Sequence, residues 1–276
     1  MISSLVIVFR EMLEMTLIVG VLLAATRGIP ASRRWIGFGV SVGLIGAGLF
    51  AIFMEQIESS FDGDGEFLFN AVILILASFL IAWTVFWMSG HARQMTMHMK
   101  KIGASVKEGE LPFTALAIVS FAAVMREGGE AVFFLFGAAQ SVADGGWEML
   151  TGGLLGAAVA LSVGVLLYLG LARIPVKNLF SVAGWILMLL AAGMASQATW
   201  NLVAIEWLPP LIDPLWNTSA LVSQASVAGE FLHVLIGYDE APSAIQMLVF
   251  SLSLAVMVIL NYKMQAQHHA SGANAS

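Results

Sequence analysis

No cysteine occurs anywhere in the chain. Disulfides, thiolate metal sites and iron–sulfur ligation are therefore excluded, and any metal must be held by oxygen or imidazole, which leaves hard-cation chemistry. Charge is nearly as scarce: 11% of the 276 residues are charged against 59% hydrophobic, and the mean hydropathy is +0.89. No ordinary soluble domain has that composition. The first apolar run is not expected to be a secretory leader, because it lacks a basic n-region and carries Arg10, Glu11 and Glu14 where an unbroken apolar core belongs. It is read as a mature helix. The net charge is −6, and no nucleic-acid partner is expected.

What the chain does have is long apolar runs, near 3–26, 34–54, 67–89, 113–141, 148–172, 179–200 and 244–262. Each is about 20 residues or more, enough to span a bilayer. The expected fold is an all-α integral membrane protein with seven transmembrane helices. Its lysines and arginines give the orientation. Arg27, Arg33, Arg34, Arg93, Lys100, Lys101, Lys107, Arg173, Lys177 and Lys263 all follow odd-numbered spans. By the positive-inside rule that side is cytoplasmic, so the N-terminus is outside and the C-terminus inside. The opposite loops have no Lys or Arg but hold 12 of the 18 acids, from Glu55 to Glu240. Such a face concentrates cations, although acids also serve simply to keep outer loops soluble.

Two spans carry charge in their middles. "FREMLE" holds Arg10, Glu11 and Glu14, and "MREGGE" holds Arg126, Glu127 and Glu130, 116 residues later. Gly37 and Gly48 map at the same offset onto Gly153 and Gly164. Spans one to three therefore read as duplicated in four to six, with repeat one over 1–100 and repeat two over 112–200. Three spans per copy is odd, so the copies are inverted, an architecture that places a substrate site near the midplane where they meet. Gly39-x-x-x-Gly43 and Gly152-x-x-x-Gly156 suit close helix packing.

Charges in hydrocarbon are costly and mark a site by default. On a helix Glu11 and Glu14 share a face, as do Glu127 and Glu130. If the two helices cross, four carboxylates converge beside two arginines, leaving a formal charge of minus two that a proton or a divalent or trivalent cation relieves. Arg10 and Arg126 are read as charge partners that grip carboxylates and fix their geometry without touching the metal. The alternative is that each Arg simply locks the bundle, which does not explain two acids per arginine.

The paired motifs resemble those of the oxidase-dependent iron permeases, and more closely their bacterial inner-membrane branch, the Efe-type iron-uptake permeases. "WTVFWM" (83–88) and "GYDEAPS" (237–243) look similar as well, so the resemblance covers nearly the whole chain. The family usually reads Arg-Glu-Gly-Leu-Glu in both places; here Met12 replaces a glycine and Gly129 a leucine. The resemblance implies iron-ligand roles for Glu11, Glu14, Glu127 and Glu130 and essential arginines at Arg10 and Arg126. It also implies a multi-pass permease of the bacterial cytoplasmic membrane that imports ferric or ferrous iron. The iron is cargo, with no permanently bound cofactor, and is supplied by an extracytoplasmic iron-binding protein or oxidoreductase.

Weaker signals remain. Glu230 and His233 are spaced for an entrance site in the outer segment 201–243, where 219–236 reads as an amphipathic or re-entrant helix. His91 and His98 suggest metal release on the inner side, with ordinary interfacial placement as the plainer reading. Trp83, Trp87, Trp185 and Trp200 suit an aromatic belt. The seventh helix is expected over 244–264 and a flexible tail over 265–276. An enzyme of the di-iron carboxylate kind wants two Glu-x-x-His pairs on bundle helices, and the chain has one outside them; His-Glu-x-x-His is absent. The remaining alternatives are a transporter of manganese, lead or protons, and a non-transporting membrane subunit.

Overall fold

The computed structural model describes residues 1–61, 63–140, 146–169, 176–224, 226, 228–229, 232–233 and 238–273, without the side chains of 87–96, 176–179 and 264–273. The described residues form helices and no strand. They are α1 (Ile2–Ala25), α2 (Pro30–Glu58), α3 (Asp64–Lys107), α4 (Thr114–Ala139), α5 (Gly146–Tyr168), α6 (Val176–Ala204) and α7 (Ala244–Ala273). Proline stands at the start of α2, where a missing N–H costs nothing. Gly109, at φ +82°, closes α3, with Glu110 N–H bonded to the Ser105 carbonyl and Gly109 N–H to that of Val106.

Five of these helices are long and apolar enough to cross a membrane: α2, the first part of α3 to Phe86, α5, α6 from Phe180, and α7 to Lys263. The protein is a multi-pass membrane protein on that ground. The other two, α1 and α4, have 24 and 26 residues and are set apart by the three charges each carries. Large apolar side chains face outward along the spans, among them Phe38, Leu49, Leu154 and Leu252, each at least 60% exposed. Lipid is the solvent such a surface needs.

The basic stretch after the third span, read from sequence as loop, is helical to Lys107. Met99, Gly103 and Val106 recur at helical spacing and are buried, and a Cβ at Gly103 would meet the Cβ of Ala25. Packing of that stripe against α1 and α4 makes the segment helical while its lysines stay exposed. Helix α7 likewise runs past the expected 264 to Ala273.

The helices interlock across the two halves of the chain. α1 packs chiefly on α5, and α2 on α4, while α3 pairs with α6 and α1 crosses α4. Glycines make the first two contacts possible. A Cβ at Gly39 would strike the carbonyl of Ala117 and Oγ of Ser120; one at Gly152 would strike the carbonyl of Met1 and Oγ of Ser4. Those partners are 116 residues apart, but the glycines are 113 apart, and Gly43 and Gly156 repeat the pattern against Phe121 and Leu5. This corrects the pairing of Gly37 with Gly153 and Gly48 with Gly164, since Gly37 and Gly48 meet nothing within 4 Å. The stretch from Glu130 to Gly152 is three residues shorter than that from Glu14 to Gly39, which shifts the packed face by nearly one turn.

Helices α3 and α6 run antiparallel, with Ser78 Oγ donating to the Ala191 carbonyl at 2.7 Å and the Phe67 ring tilted against that of Trp200. Two apolar clusters result. One gathers Ile7, Leu74, Ile81, Phe134 and Leu187; the other gathers Ile18, Leu22, Ile36, Leu116 and Ala123. Early α1 meets late α4 in the first, and late α1 meets early α4 in the second, so these helices are antiparallel. Both charged motifs lie between the two clusters.

Candidate functional site

Arg10 and Glu11 sit one turn beyond Ile7 on α1 and Glu14 two turns beyond it, and the helix cannot turn them to lipid without exposing the face that packs on α4 and α5. All three are buried, with side chains at most 3% exposed. Arg10 divides its guanidinium between its neighbours: Nη1 lies 3.0 Å from Glu11 Oε1 and Nη2 3.1 Å from Glu14 Oε1. On α4, Arg126 Nε lies 3.6 Å from Glu127 Oε1 and 3.1 Å from Glu130 Oε1.

The crossing brings Glu11, Glu14 and Glu127 together, one carboxylate oxygen of each within 4.8 Å of the others. Oxygens on opposite sides of a hard cation stand about 4–5 Å apart, twice a bond of about 2.0–2.6 Å. The spacing therefore fits an ion between them. Glu11 Oε2 and Glu127 Oε2 are buried with no hydrogen-bond partner among the described residues, and Glu14 Oε1, although near Arg10, is not aligned for a hydrogen bond. Each such oxygen carries a desolvation cost that a cation removes.

Glu130 lies outside this triad. Its Oε1 accepts from Arg126 Nε, and its Oε2 accepts from Thr84 Oγ1 of α3 at 3.2 Å. Thr84 is a site neighbour that sequence reasoning missed. Its only signal was a lone hydroxyl within the aromatic run "WTVFW". The two motifs also differ in access: Arg126 and Glu130 have side chains 35% and 21% exposed, whereas Glu127 is 1% exposed.

Of the outer pair Glu230 and His233, only His233 belongs to the described residues. Glu230 lies outside them, and His233 Nδ1 donates to the Tyr238 carbonyl at 2.6 Å. The outer segment is tied instead by Leu215 N–H to the Pro242 carbonyl and Thr218 N–H to that of Glu240, both 2.8 Å, and by Tyr238 Oη donating to the Val222 carbonyl. Part of the helix expected over 219–236 also lies outside the described residues. His98 is exposed on α3, and the His91 side chain lies outside the described residues.

Comparison with known proteins adds two findings. The model of the Iron permease FTR1 family matches residues 1–270. The chain is 31% identical over 252 residues to the ferrous iron permease EfeU of Escherichia coli O6:H1, covering 90% of both chains. It is 30% identical over 259 residues to that of Yersinia pestis, covering 92% of this chain and 90% of the relative. No solved structure matches.

Proposed function

Because the chain belongs to the Iron permease FTR1 family, we propose that it imports iron across the bacterial cytoplasmic membrane, through a site between α1 and α4 built from Glu11, Glu14 and Glu127 with Glu130 at its edge. The observation that carries this is the buried triad with unpartnered oxygens. Arg10 and Arg126 hold the carboxylates in place as charge partners. Four glutamates and two arginines leave a formal charge of minus two, which a divalent ion cancels. That balance, together with the relatives' name, supports ferrous iron as the cargo. A protein with this site has no need of a permanently bound cofactor, and transport rather than enzymatic turnover is its role.

The same reading takes α1 and α4 as spans, giving seven, with the N-terminus outside and the C-terminus inside. The crossed packing of α1 on α5 and α2 on α4 supports an inverted repeat whose halves exchange their second helices. The acidic outer loops receive iron from an extracytoplasmic binding protein or oxidoreductase. A negative-inside potential drives entry by about 2.3 kcal/mol per charge per 100 mV.

The test is uptake of radiolabelled ferrous iron into proteoliposomes holding the purified chain. Glu11→Gln and Glu127→Gln are expected to insert normally and lose uptake. Variants that assemble poorly yet transport at the parental rate would turn the charges into mere helix glue, and preferential uptake of manganese in competition would change the cargo.

A further inference from the structure

Each glutamate of the two motifs has an apolar neighbour four residues away, on the same face of its helix. Ile7 precedes Glu11 and Ile18 follows Glu14; Ala123 precedes Glu127 and Phe134 follows Glu130. All four neighbours are buried. Because α1 and α4 run antiparallel, they sort into two pairs: Ile7 and Phe134 belong to one apolar cluster, Ile18 and Ala123 to the other. The triad lies between the pairs, and the side chains of Glu11, Glu14 and Glu127 are at most 2% exposed. An ion held there is shut in.

The repeat makes the two pairs comparable. Ile7 and Ala123 are 116 residues apart, as are Ile18 and Phe134, so the same offset that relates the motifs maps one pair onto the other. Their bulk is unequal: isoleucine with phenylalanine on one side of the triad, isoleucine with alanine on the other. The first pair is also the better sealed, with Ile7 and Phe134 at 0% exposure against 8% for Ile18 and 6% for Ala123. One turn beyond Phe134, a Cβ at Gly137 would meet that of Ala77 at 2.8 Å, so α4 is pressed onto α3 there. A cation cannot cross such packing as it stands, because an apolar constriction strips its water and offers no ligand in return.

We propose that Phe134, with Ile7, is the gate between the outer face and the triad, that Ile18 and Ala123 form a thinner inner gate, and that movement of the Phe134 ring limits the rate at which the ion enters. This rests on the transport reading above and on its orientation, in which α1 runs inward and α4 outward, so that Ile7 and Phe134 stand on the outer side of the acids. The phenyl ring offers the ion no ligand. Its bulk therefore governs the rate of passage and leaves the equilibrium affinity of the triad alone.

Two measurements test the gate: uptake of radiolabelled ferrous iron into proteoliposomes, and equilibrium binding of ferrous iron to the same protein in detergent. Phe134→Leu should raise maximal uptake about fivefold, equivalent to taking roughly 1 kcal/mol off the barrier, with an unchanged dissociation constant. Ile18→Val, at the repeat-related position of the inner gate, should stay within about twofold of the parental rate. Phe134→Met keeps an apolar side chain there but a more flexible one; it should also speed uptake, and it decides the matter if Phe134→Leu is not monodisperse. Uptake by a monodisperse Phe134 variant at or below the parental rate would overturn the gate and send the ion past the partly exposed Glu130 instead. Equal acceleration by Ile18→Val, or a rate gain accompanied by a changed dissociation constant, would overturn it as well. Each of these leaves the iron site standing, whereas failure of the unsubstituted protein to bind and take up iron would overturn both.

Discussion

Replacing Arg10 with Met removes the cation from between two buried acids without opening a cavity. The guanidinium now lies 3.0 Å from Glu11 and 3.1 Å from Glu14, with its side chain 3% exposed. Breaking a buried ion pair by deleting one partner costs about 3–5 kcal/mol, because the remaining charge is stranded. Here two carboxylates are stranded beside a third, Glu127. At about 2–4 °C per kcal/mol for chains of about 150–250 residues, the melting temperature in detergent should fall by about 10 °C. Two additions should reverse the loss. Ferrous iron at 100 times its dissociation constant contributes about 2.7 kcal/mol by binding only the folded state. Pairing Arg10→Met with Glu14→Gln should recover more than half of the drop, since the second change removes one stranded charge. The reasoning fails if Arg10→Met melts within about 3 °C of the parent, less than about 1 kcal/mol, or if adding Glu14→Gln deepens the loss.

Gly156→Val should abolish monodisperse protein in size-exclusion chromatography, because the added carbon meets the Leu5 carbonyl and Phe9 nitrogen, whereas Gly48→Ala meets nothing and should stabilise by about 0.5–1 kcal/mol. Ser78→Ala deletes the bond to the Ala191 carbonyl and should cost about 1 kcal/mol in denaturant unfolding. A cysteine at exposed Ser59 should be labelled by an impermeant reagent in intact cells and one at exposed Lys107 only after permeabilisation; the reverse pattern would invert the topology. Collapsing a 100 mV potential should remove about 4.6 kcal/mol of driving force for a divalent ion and slow uptake accordingly.

Much of the site's chemistry was legible before any coordinates. Two Arg-Glu-x-x-Glu motifs stand in the middle of apolar runs, where hydrocarbon penalises each charge, and they recur after 116 residues. The serines at positions 4 and 120 share that offset and line equivalent contacts, a signal present in the sequence that went unread. The glycine register was misread because a change of three residues between the first and second helices of the copies leaves helical periodicity almost intact while moving the packed face.

Composition and periodicity by themselves determined that this chain is helical, lives in a membrane and holds acids in the middle of apolar runs. Those properties follow from the cost of each residue in its solvent, which is local. Only the tertiary structure decided that Glu11, Glu14 and Glu127 meet while Glu130 is drawn aside by Thr84, and that α1 lies on α5 rather than on its neighbour α2. Spacing along one helix fixes which side chains share a face. What stands opposite depends on how distant segments cross, and that is settled by glycines shaped to backbones 78 or 151 residues away.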